Sequence, residues 1–157
     1  MTIKPVRHAS FVVERKYNAP VSRVFAAFAD PTIKRRWFAE GKNWSIERYD
    51  AEFRVGGHEY STFRFKDGPL ITNDTIYLDI VESSRIVMAY TMAAEGKRFS
   101  SSLATVEFVA AQGGTKLTYT EQIVCLDGED QSGDRKSGCT ELLANLASEL
   151  DRCGVAA

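Results

Sequence analysis

The clearest periodic pattern lies near the end of the chain, in segment 133–153, where apolar residues recur at steps of three and four. They are Cys139, Leu142, Leu143, Leu146, Leu150 and Cys153. The residues expected on the opposite side of a helical wheel are Glu141, Ser148, Glu149 and Arg152. This spacing predicts a long helix with one face against a core and the other face in water.

The first part of the chain predicts a strand followed by a short helix. Phe11, Val13 and Tyr17 alternate with polar residues, which is typical of a strand with one buried face. Pro20 ends this strand, because proline has no N–H to donate and its fixed φ suits a first helical turn. The apolar stripe of the helix that follows is Val21, Val24, Phe25 and Phe28.

A second short helix is predicted to start at Asp30-Pro31, with Asp30 as its N-cap. Ile33 and Trp37 share one face of it. Trp37 and Phe38 are therefore expected to close one end of the space that the sheet encloses. The basic residues expected to point mostly outward are Lys34, Arg35 and Arg36.

From Trp44 to Leu126 the apolar period is two, which predicts strands joined by tight turns. Gly56-Gly57 allows a bulge or a sharp turn before one of these strands. Trp44 and Ile46 share one side of the first of these strands, and whether Arg48 joins them is left open. The other residues that mark a strand or its inward face are Glu59, Ser61, Phe63, Phe65, Ile76, Leu78, Ile80, Ile86, Met88, Tyr90, Met92, Ser102, Ala104, Val106, Phe108, Leu117, Tyr119, Glu121 and Ile123.

Together these elements predict an α+β fold in which a curved antiparallel sheet of about seven strands wraps around a long C-terminal helix. The order is strand, two helices, six strands and helix, in a single domain over residues 1–157. Short loops favour antiparallel pairing of neighbouring strands, and one concave face must meet the apolar stripe of the helix. Function depends on whether the space between them is filled or holds a ligand.

Charge and hydropathy exclude several classes of partner. The formal net charge is -1 and no long basic run occurs, which argues against nucleic acid. The apolar runs are too short to cross a bilayer, and residues 1–10 do not form a signal peptide, so a cytoplasmic location without membrane insertion is expected. No cofactor is expected.

The three cysteines, Cys125, Cys139 and Cys153, are an odd number without a CxxC pair. Cys139 and Cys153 would lie roughly 21 Å apart along one helix, which excludes a disulfide between them. Buried reduced thiols are therefore expected. With only His8 and His58 in the chain, no metal site is expected.

Several local strings carry a family resemblance. They are Asn18-Ala19-Pro20-Val21, Trp37-Phe38, Val55-Gly56-Gly57, Arg85-Ile86-Val87 and Gly114-Thr115-Lys116-Leu117. In order and spacing the chain resembles the START-like (SRPBCC) superfamily, in the branch of homologues of the heat-shock-protein-90 ATPase activator, which is also labelled polyketide-cyclase-like. The resemblance implies a helix-grip fold, which hosts lipid and hormone carriers, aromatase/cyclases and co-chaperone domains.

One position departs from that family pattern. Much of the family has Gly-Trp at the start of the long helix, where this chain has Gly138-Cys139. The smaller side chain would either enlarge the cavity or be replaced in space by a neighbour.

Glu59 and Glu121 are the candidate catalytic or anchoring residues, because strand alternation points both at the concave face. A buried carboxylate raises its pKa or finds a cation. Two interpretations stay open. One carboxylate serves as acid, base or ligand anchor in a pocket, or both belong to a structural network with an arginine or a backbone amide. The arginines considered are Arg54, Arg64 and Arg98.

Other polar groups have simpler explanations. Tyr90 and Tyr119 have the inward parity and could orient a ligand or simply pack in the core. Asp127, Asp130 and Arg135 precede the long helix, where capping and loop ordering explain them. Residues 100–102 are three serines without a matching histidine, which argues against a serine nucleophile.

The preferred hypothesis is binding of a small hydrophobic or aromatic molecule between the sheet and the long helix. Trp37 and Phe38 would form the entrance, with Glu59 and Glu121 as polar anchors. The apolar wall would comprise Phe63, Met88, Tyr90, Val106, Tyr119, Leu142, Leu143 and Leu146.

Two alternatives stay open. The first is a metal-free cyclase, dehydratase or hydrolase in which Glu59 or Glu121 is the general base. The second is an interaction module for a chaperone, which only the family name suggests. Self-association as a homodimer is also undecided.

Overall fold

The computed structural model describes residues 3–155, with side chains through Arg152. Cys153 therefore lies outside the described side chains. The elements are β1 (Arg7–Tyr17), α1 (Val21–Ala29), α2 (Pro31–Phe38), β2 (Trp44–Ala51), β3 (His58–Phe65), β4 (Ile71–Val81), β5 (Arg85–Ala94), β6 (Lys97–Ala111), β7 (Gly114–Cys125) and α3 (Ser132–Val155). The predicted α+β order of strand, two helices, six strands and helix is confirmed.

The seven strands form one antiparallel sheet in the order β1-β7-β6-β5-β4-β3-β2. Strands β2 to β7 follow one another as successive hairpins. β1 joins the open edge of β7, where Phe11 lies opposite Glu121 and Tyr17 opposite Thr115. The first and last strands of the chain are thus neighbours, which brings α1 and α3 to the same side of the sheet.

Two register shifts decide which side chains face the helices. In β2 the shift between Ile46 and Arg48 turns Tyr49 to the inner face. Arg48 instead lies over the Tyr60 ring, 4.7 Å from its centroid. A β-bulge of this kind adds one residue to a strand and so reverses the alternation beyond it.

In β4 the shift between Tyr77 and Asp79 has a similar effect. Leu78 is 47% exposed, whereas Tyr77 is 2% exposed. The inner face of β4 is formed by Asn73, Thr75 and Tyr77, and the bulge then returns Ile80 to the core side. The apolar alternation of Ile76, Leu78 and Ile80 therefore marks the strand correctly but gives the wrong face for most of it.

The Gly56-Gly57 pair holds the segment before β3 close to Tyr77. Gly56 N donates to Tyr77 O at 2.8 Å, and Tyr77 N donates to Gly57 O at 3.0 Å. Gly56 has a φ of 82°, and a Cβ at Gly57 would lie 2.2 Å from Glu52 O. Only glycine fits this approach, so the predicted sharp turn is present.

The long helix α3 lies on the concave face, close to β1, α1 and α2. Tyr17 Oη donates to Leu143 O at 2.8 Å, and Arg23 Nη2 donates to Leu150 O at 2.5 Å. The apolar stripe is buried at Cys139, Leu143, Leu146 and Leu150 and half-buried at Leu142. The predicted amphipathic helix is confirmed along this face.

Helix α2 begins as predicted, with Asp30 Oδ1 accepting from Thr32 N at 2.9 Å. Trp37 is buried against Phe28, with ring centroids 4.9 Å apart, and its Nε1 donates to Ala27 O. The expectation that Lys34 points outward is wrong, because Lys34 is 3% exposed. Its side chain reaches a buried carboxylate on β3.

No helix among residues 3–155 is long and apolar enough to cross a membrane. Cys125 and Cys139 are buried free thiols. Within the same described range, no group of three or more His, Cys, Asp and Glu side chains is arranged to hold a metal ion.

Candidate functional site

A first polar cluster, the Glu59 cluster, lies between β3, β4, β2 and α2. Lys34 Nζ lies 2.9 Å from Glu59 Oε2. Glu59 Oε1 accepts hydrogen bonds from Tyr77 Oη at 3.0 Å and from Tyr49 Oη at 3.1 Å. The ammonium group also lies 4.5 Å from the Phe38 ring centroid. A cation, two hydroxyls and an aromatic ring therefore surround one carboxylate.

Burial controls the acid–base behaviour of the tyrosines in this cluster. It raises the pKa of Tyr77 and Tyr49 far above the ordinary value of 10.0, and for Tyr77 the adjacent Glu59 carboxylate adds to the effect. Both hydroxyls therefore stay protonated near neutral pH and act as hydrogen-bond donors. Neither is available as a phenolate base.

A second cluster, the Glu121 cluster, lies under the first turns of α3. Glu121 is fully buried. Its carboxylate accepts from Tyr119 Oη at 2.7 Å, from Tyr90 Oη at 2.7 Å and from Ser102 Oγ at 2.6 Å. Arg135 Nη1 completes the set at 3.2 Å. Four nitrogen or oxygen donors from three strands and one helix thus meet at one carboxylate, and Cys139 Sγ lies 3.9 Å from Oε1.

Arg135 joins the helix to the sheet. Its Nη1 donates to Tyr90 Oη at 2.9 Å and its Nη2 donates to Ser100 Oγ at 2.7 Å. The Arg135 side chain is 12% exposed, so it lies at the edge of the cluster. Burial raises the pKa of Tyr90 and Tyr119, and it raises the pKa of the Cys139 thiol to about 12.

Hydrogen bonds from within the chain limit the ability of the two carboxylates to act as general bases. Each oxygen of Glu59 and Glu121 already accepts from at least one donor within the chain. A general base needs a lone pair that can face substrate within hydrogen-bond reach. The geometry fits two structural hubs better than two proton acceptors, and each hub holds tyrosine hydroxyls in fixed positions.

The inner face is less tightly covered at β3, β4 and β5 than at β6 and β7. Val106 and Leu146 are 0% exposed and Leu143 is 3% exposed. By contrast, four apolar side chains on the inner face or on the helices over it are only half-buried. They are Phe38, Phe63, Met92 and Leu142. This half-exposed apolar group marks where the helices leave the sheet partly uncovered.

Two surface depressions lie away from that region. One, with a volume of about 790 Å³, is on the outer face of β1, β7 and β6 and is lined by His8, Leu103 and Gln122 among others. The other, of about 440 Å³, lies beside α2 and is lined by Arg35, Arg36 and Tyr49 among others. Both are wide open to solvent.

The structure places most of the predicted site residues on the inner face of the sheet or on the helices that cover it. Glu59 and Glu121 face inward but belong to separate clusters. Tyr90 and Tyr119 both bind Glu121, Trp37 is enclosed in the aromatic core, and Phe38 packs against Lys34. The predicted wall residues lie on the concave face or the α3 stripe that covers it: Phe63, Met88, Val106, Leu142, Leu143 and Leu146.

The sequence pattern did not predict that three charged residues lie against the core. They are Lys34, Arg135 and Glu149. Glu149 is 6% exposed rather than solvated, and its carboxylate pairs with Arg36 at 2.5 Å. The arginines considered as partners for the glutamates, Arg54, Arg64 and Arg98, are not those used. A signal was present, because Arg135 and Glu149 continue the helical spacing of Cys139 and Leu142.

A long helix against a curved antiparallel sheet with buried carboxylates defines a helix-grip domain of the START-like class. A family model described as "Activator of Hsp90 ATPase homolog 1-like protein" matches residues 18–151. The chain therefore belongs to this family, whose START-like class commonly binds hydrophobic ligands.

Solved structures agree with the assignment. A protein from Rhizobium leguminosarum is 44% identical, with 96% of this chain and 99% of that chain covered and a TM-score of 0.92. Mll3558 from Rhizobium loti is 42% identical, with 92% and 99% covered and a TM-score of 0.86.

More distant likeness shows the fold alone. DynU16, from the dynemicin biosynthetic locus, is 19% identical, with 90% of this chain and 47% of that chain covered and a TM-score of 0.69. A search of the curated proteins returned no match.

Proposed function

We propose that the protein binds a small, largely hydrophobic molecule on the inner face of its sheet, in the opening between α3, α2 and strands β3 to β5. The observation that carries this proposal is the half-exposed apolar group of Phe38, Phe63, Met92 and Leu142. Apolar surface left accessible on a concave face favours a ligand that removes it from water.

The apolar wall continues inward from that group. Met88 is 9% exposed, and Val106 and Leu146 are fully buried. A ligand would first contact the half-exposed side chains and then the flexible Met88 and Met92, since methionine adapts readily to irregular shapes. Tyr90, Tyr119, Trp37 and Leu143 are likewise buried on this side of the sheet.

Glu59 and Glu121 take a different part from that of simple anchors. Each would fix its tyrosines and its cation, so that the polar floor of the site keeps one shape with or without ligand. Preorganisation of this kind lowers the entropic cost of binding. It also favours a carrier or sensor over a cyclase or hydrolase, because every oxygen of the two carboxylates already accepts from a donor within the chain.

Binding of the neutral fluorescent dye Nile red tests the proposal. Its emission should rise on titration with the wild-type protein. Met92→Lys, which places a charge in the opening, should weaken binding at least about tenfold. The matched control is Val109→Lys at a position 59% exposed on β6, and it should bind like wild type.

A dye signal that is absent in the wild type, or one that Val109→Lys reduces as much as Met92→Lys does, would contradict the proposal. Thermal melting of each variant should accompany the titration, so that a loss of binding is not confused with unfolding.

A further inference from the structure

Two buried polar groups on the inner face have no hydrogen-bond partner. Ser61 is 2% exposed and Asn73 is 9% exposed. Among the described residues, neither Ser61 Oγ nor Asn73 Nδ2 forms a hydrogen bond. Nearly every buried polar side-chain group in a folded protein has a partner, so such a group requires an explanation.

The partner is missing whichever way the Asn73 amide is turned. Thr75 Oγ1 donates to Asn73 Oδ1 at 3.0 Å, which uses one end of the amide. The nitrogen and oxygen of an amide can exchange places without a large change in shape. The structure places Oδ1 towards Thr75, which leaves the Nδ2 amide group as the free end and as a hydrogen-bond donor.

Both free atoms border accessible space. Within the part of the chain that the structure describes, Arg15 Nε is the one unpartnered side-chain nitrogen or oxygen that is sealed from a water-sized probe. Ser61 Oγ and Asn73 Nδ2 are unpartnered but not sealed. They are therefore open to a small molecule that enters from the concave side.

The strand register places the two groups side by side. Ser61 lies opposite Asn73 across β3 and β4, and Asn73 lies opposite Met92 across β4 and β5. Directly opposed residues have Cβ atoms roughly 5 Å apart, so two short polar side chains there can contact one ligand atom. The pair also adjoins Met92 of the half-exposed apolar group.

The charges nearby are already balanced, which restricts the ligand class. Lys34 is held by Glu59, and Arg135 is held by Glu121. Among the described inner-face residues around the pair, no cation or anion is left to neutralise an ionic ligand. A buried unpaired charge would be costly, so a ligand without charge fits best.

We propose that Ser61 and Asn73 form a recognition pair for an uncharged oxygen, such as a ketone or amide carbonyl, on a ligand with an apolar body. The Asn73 amide N–H and the Ser61 hydroxyl both donate to that oxygen. The inference rests on the proposed function, since it names the chemistry read at the same opening.

Two probes of matched shape test the pair. They are 2-acetylnaphthalene, which carries a ketone oxygen, and 2-isopropylnaphthalene, in which a methyl group replaces that oxygen. Their dissociation constants are measured by displacement of Nile red. The wild type should favour the ketone at least about fivefold, the value expected for one neutral hydrogen bond.

Three variants test whether Ser61 and Asn73 cause the preference for the ketone. Ser61→Ala removes one donor, and Asn73→Asp replaces the free amide end by an oxygen while keeping an acceptor for Thr75. Both should reduce the preference for the ketone to about twofold or less. The matched control Thr72→Val alters the adjacent, half-buried residue of β4 that faces the opposite side, and it should retain the wild-type preference.

The outcomes separate the two proposals. If Nile red and both naphthalenes bind but the wild type shows no preference, or if Ser61→Ala and the control keep the same preference, the recognition pair is overturned and the hydrophobic site stands. If no probe binds, both proposals fail. Should Asn73→Asp not fold, Ser61→Ala decides the result.

Discussion

The two sides of the inner face differ in how completely their polar groups are satisfied. Under α3, Glu121 gathers two tyrosines, a serine and Arg135, and it is fully buried. On β3 and β4, Ser61 Oγ and Asn73 Nδ2 form no hydrogen bond with the described residues, although Asn73 Oδ1 accepts from Thr75. A saturated network rigidifies a fold, whereas a free polar group is a cost that a ligand can remove.

The Glu59 cluster lies on the same strands as Ser61 and Asn73 but resembles the Glu121 cluster in chemistry. Lys34, Tyr49 and Tyr77 occupy both oxygens of Glu59. The comparison therefore distinguishes the two glutamate clusters, whose polar groups bind one another, from Ser61 and Asn73, which we propose bind a ligand. Four predictions test the separation, from the largest expected effect to the smallest.

The largest effect is expected from Glu121→Gln. This change leaves Arg135, whose side chain is only 12% exposed, without its counter-charge, and breaking a largely buried ion pair costs about 3 kcal/mol or more. Urea unfolding measures the loss. The matched control Glu107→Gln, at an exposed position of β6, should change stability by less than about 0.5 kcal/mol.

A stable Glu121→Gln protein that loses a catalytic activity would contradict the structural role of this cluster. That result would favour the enzymatic alternative over ligand binding.

Lys34→Met should cost about 3 kcal/mol, because Glu59 is then buried beside two hydroxyls without a cation. The double variant Lys34→Met with Glu59→Gln removes both charges and should recover at least about 1 kcal/mol. Lys42→Met, at an exposed position, is the control. Additive losses in the double variant would show that the two side chains do not act as a pair.

Alkaline pH should destabilise the fold. Burial raises the pKa of Tyr49, Tyr77, Tyr90 and Tyr119, so these residues keep their protons in the folded state after the unfolded chain has lost them. Their contribution is complete below pH 10.0 and declines as pH rises above it, by up to about 1.4 kcal/mol per pH unit for each tyrosine.

The slope of that decline identifies the tyrosines responsible. Tyr119→Phe should make it shallower by about 0.7 kcal/mol per pH unit on average, as measured by urea unfolding between pH about 9 and about 11, because the unfolded tyrosine is only partly ionised over this range. Tyr60→Phe, on the outer face, is the matched control. An equal slope in wild type and Tyr119→Phe would argue against a buried protonated Tyr119.

The smallest effect on stability is expected from Ser61→Ala. The hydroxyl it removes forms no hydrogen bond with the described residues, so the free energy of unfolding should change by less than about 0.5 kcal/mol or rise slightly. Differential scanning calorimetry checks this change. A loss of about 2 kcal/mol would show that Ser61 has a structural hydrogen bond and is not free for a ligand.

Much of this architecture could be predicted from the sequence. The period-two pattern gave the inward direction of Glu59 and Glu121, and the spacing of Leu142 and Leu146 gave the long helix. Both patterns follow from the side-chain period of a single strand or helix, so they can be seen in the sequence without knowledge of the tertiary contacts. The Asp30 N-cap could be predicted for the same reason, because its hydrogen bond joins two residues that are close in sequence.

The partners of the buried charges could not be obtained in the same way. Lys34 follows Asp30-Pro31 in a basic run that is typical of a solvated face, yet Glu59 lies within its reach only after the sheet has folded. The bulges at Ile46/Arg48 and Tyr77/Asp79 are set by neighbouring strands. Because a bulge interrupts the period of two in each strand, alternation read from the sequence did not place Tyr49 and Tyr77 beside Glu59.

Chemical-shift mapping of the isotope-labelled protein with 2-acetylnaphthalene tests the central claim most directly. The account predicts shifts at Ser61, Asn73, Met92 and Leu142, on the concave side. It predicts no comparable shifts at the outer-face residues His8 and Gln122. Shifts centred on the outer face, or none at saturating probe, would contradict a ligand site between the sheet and the helices.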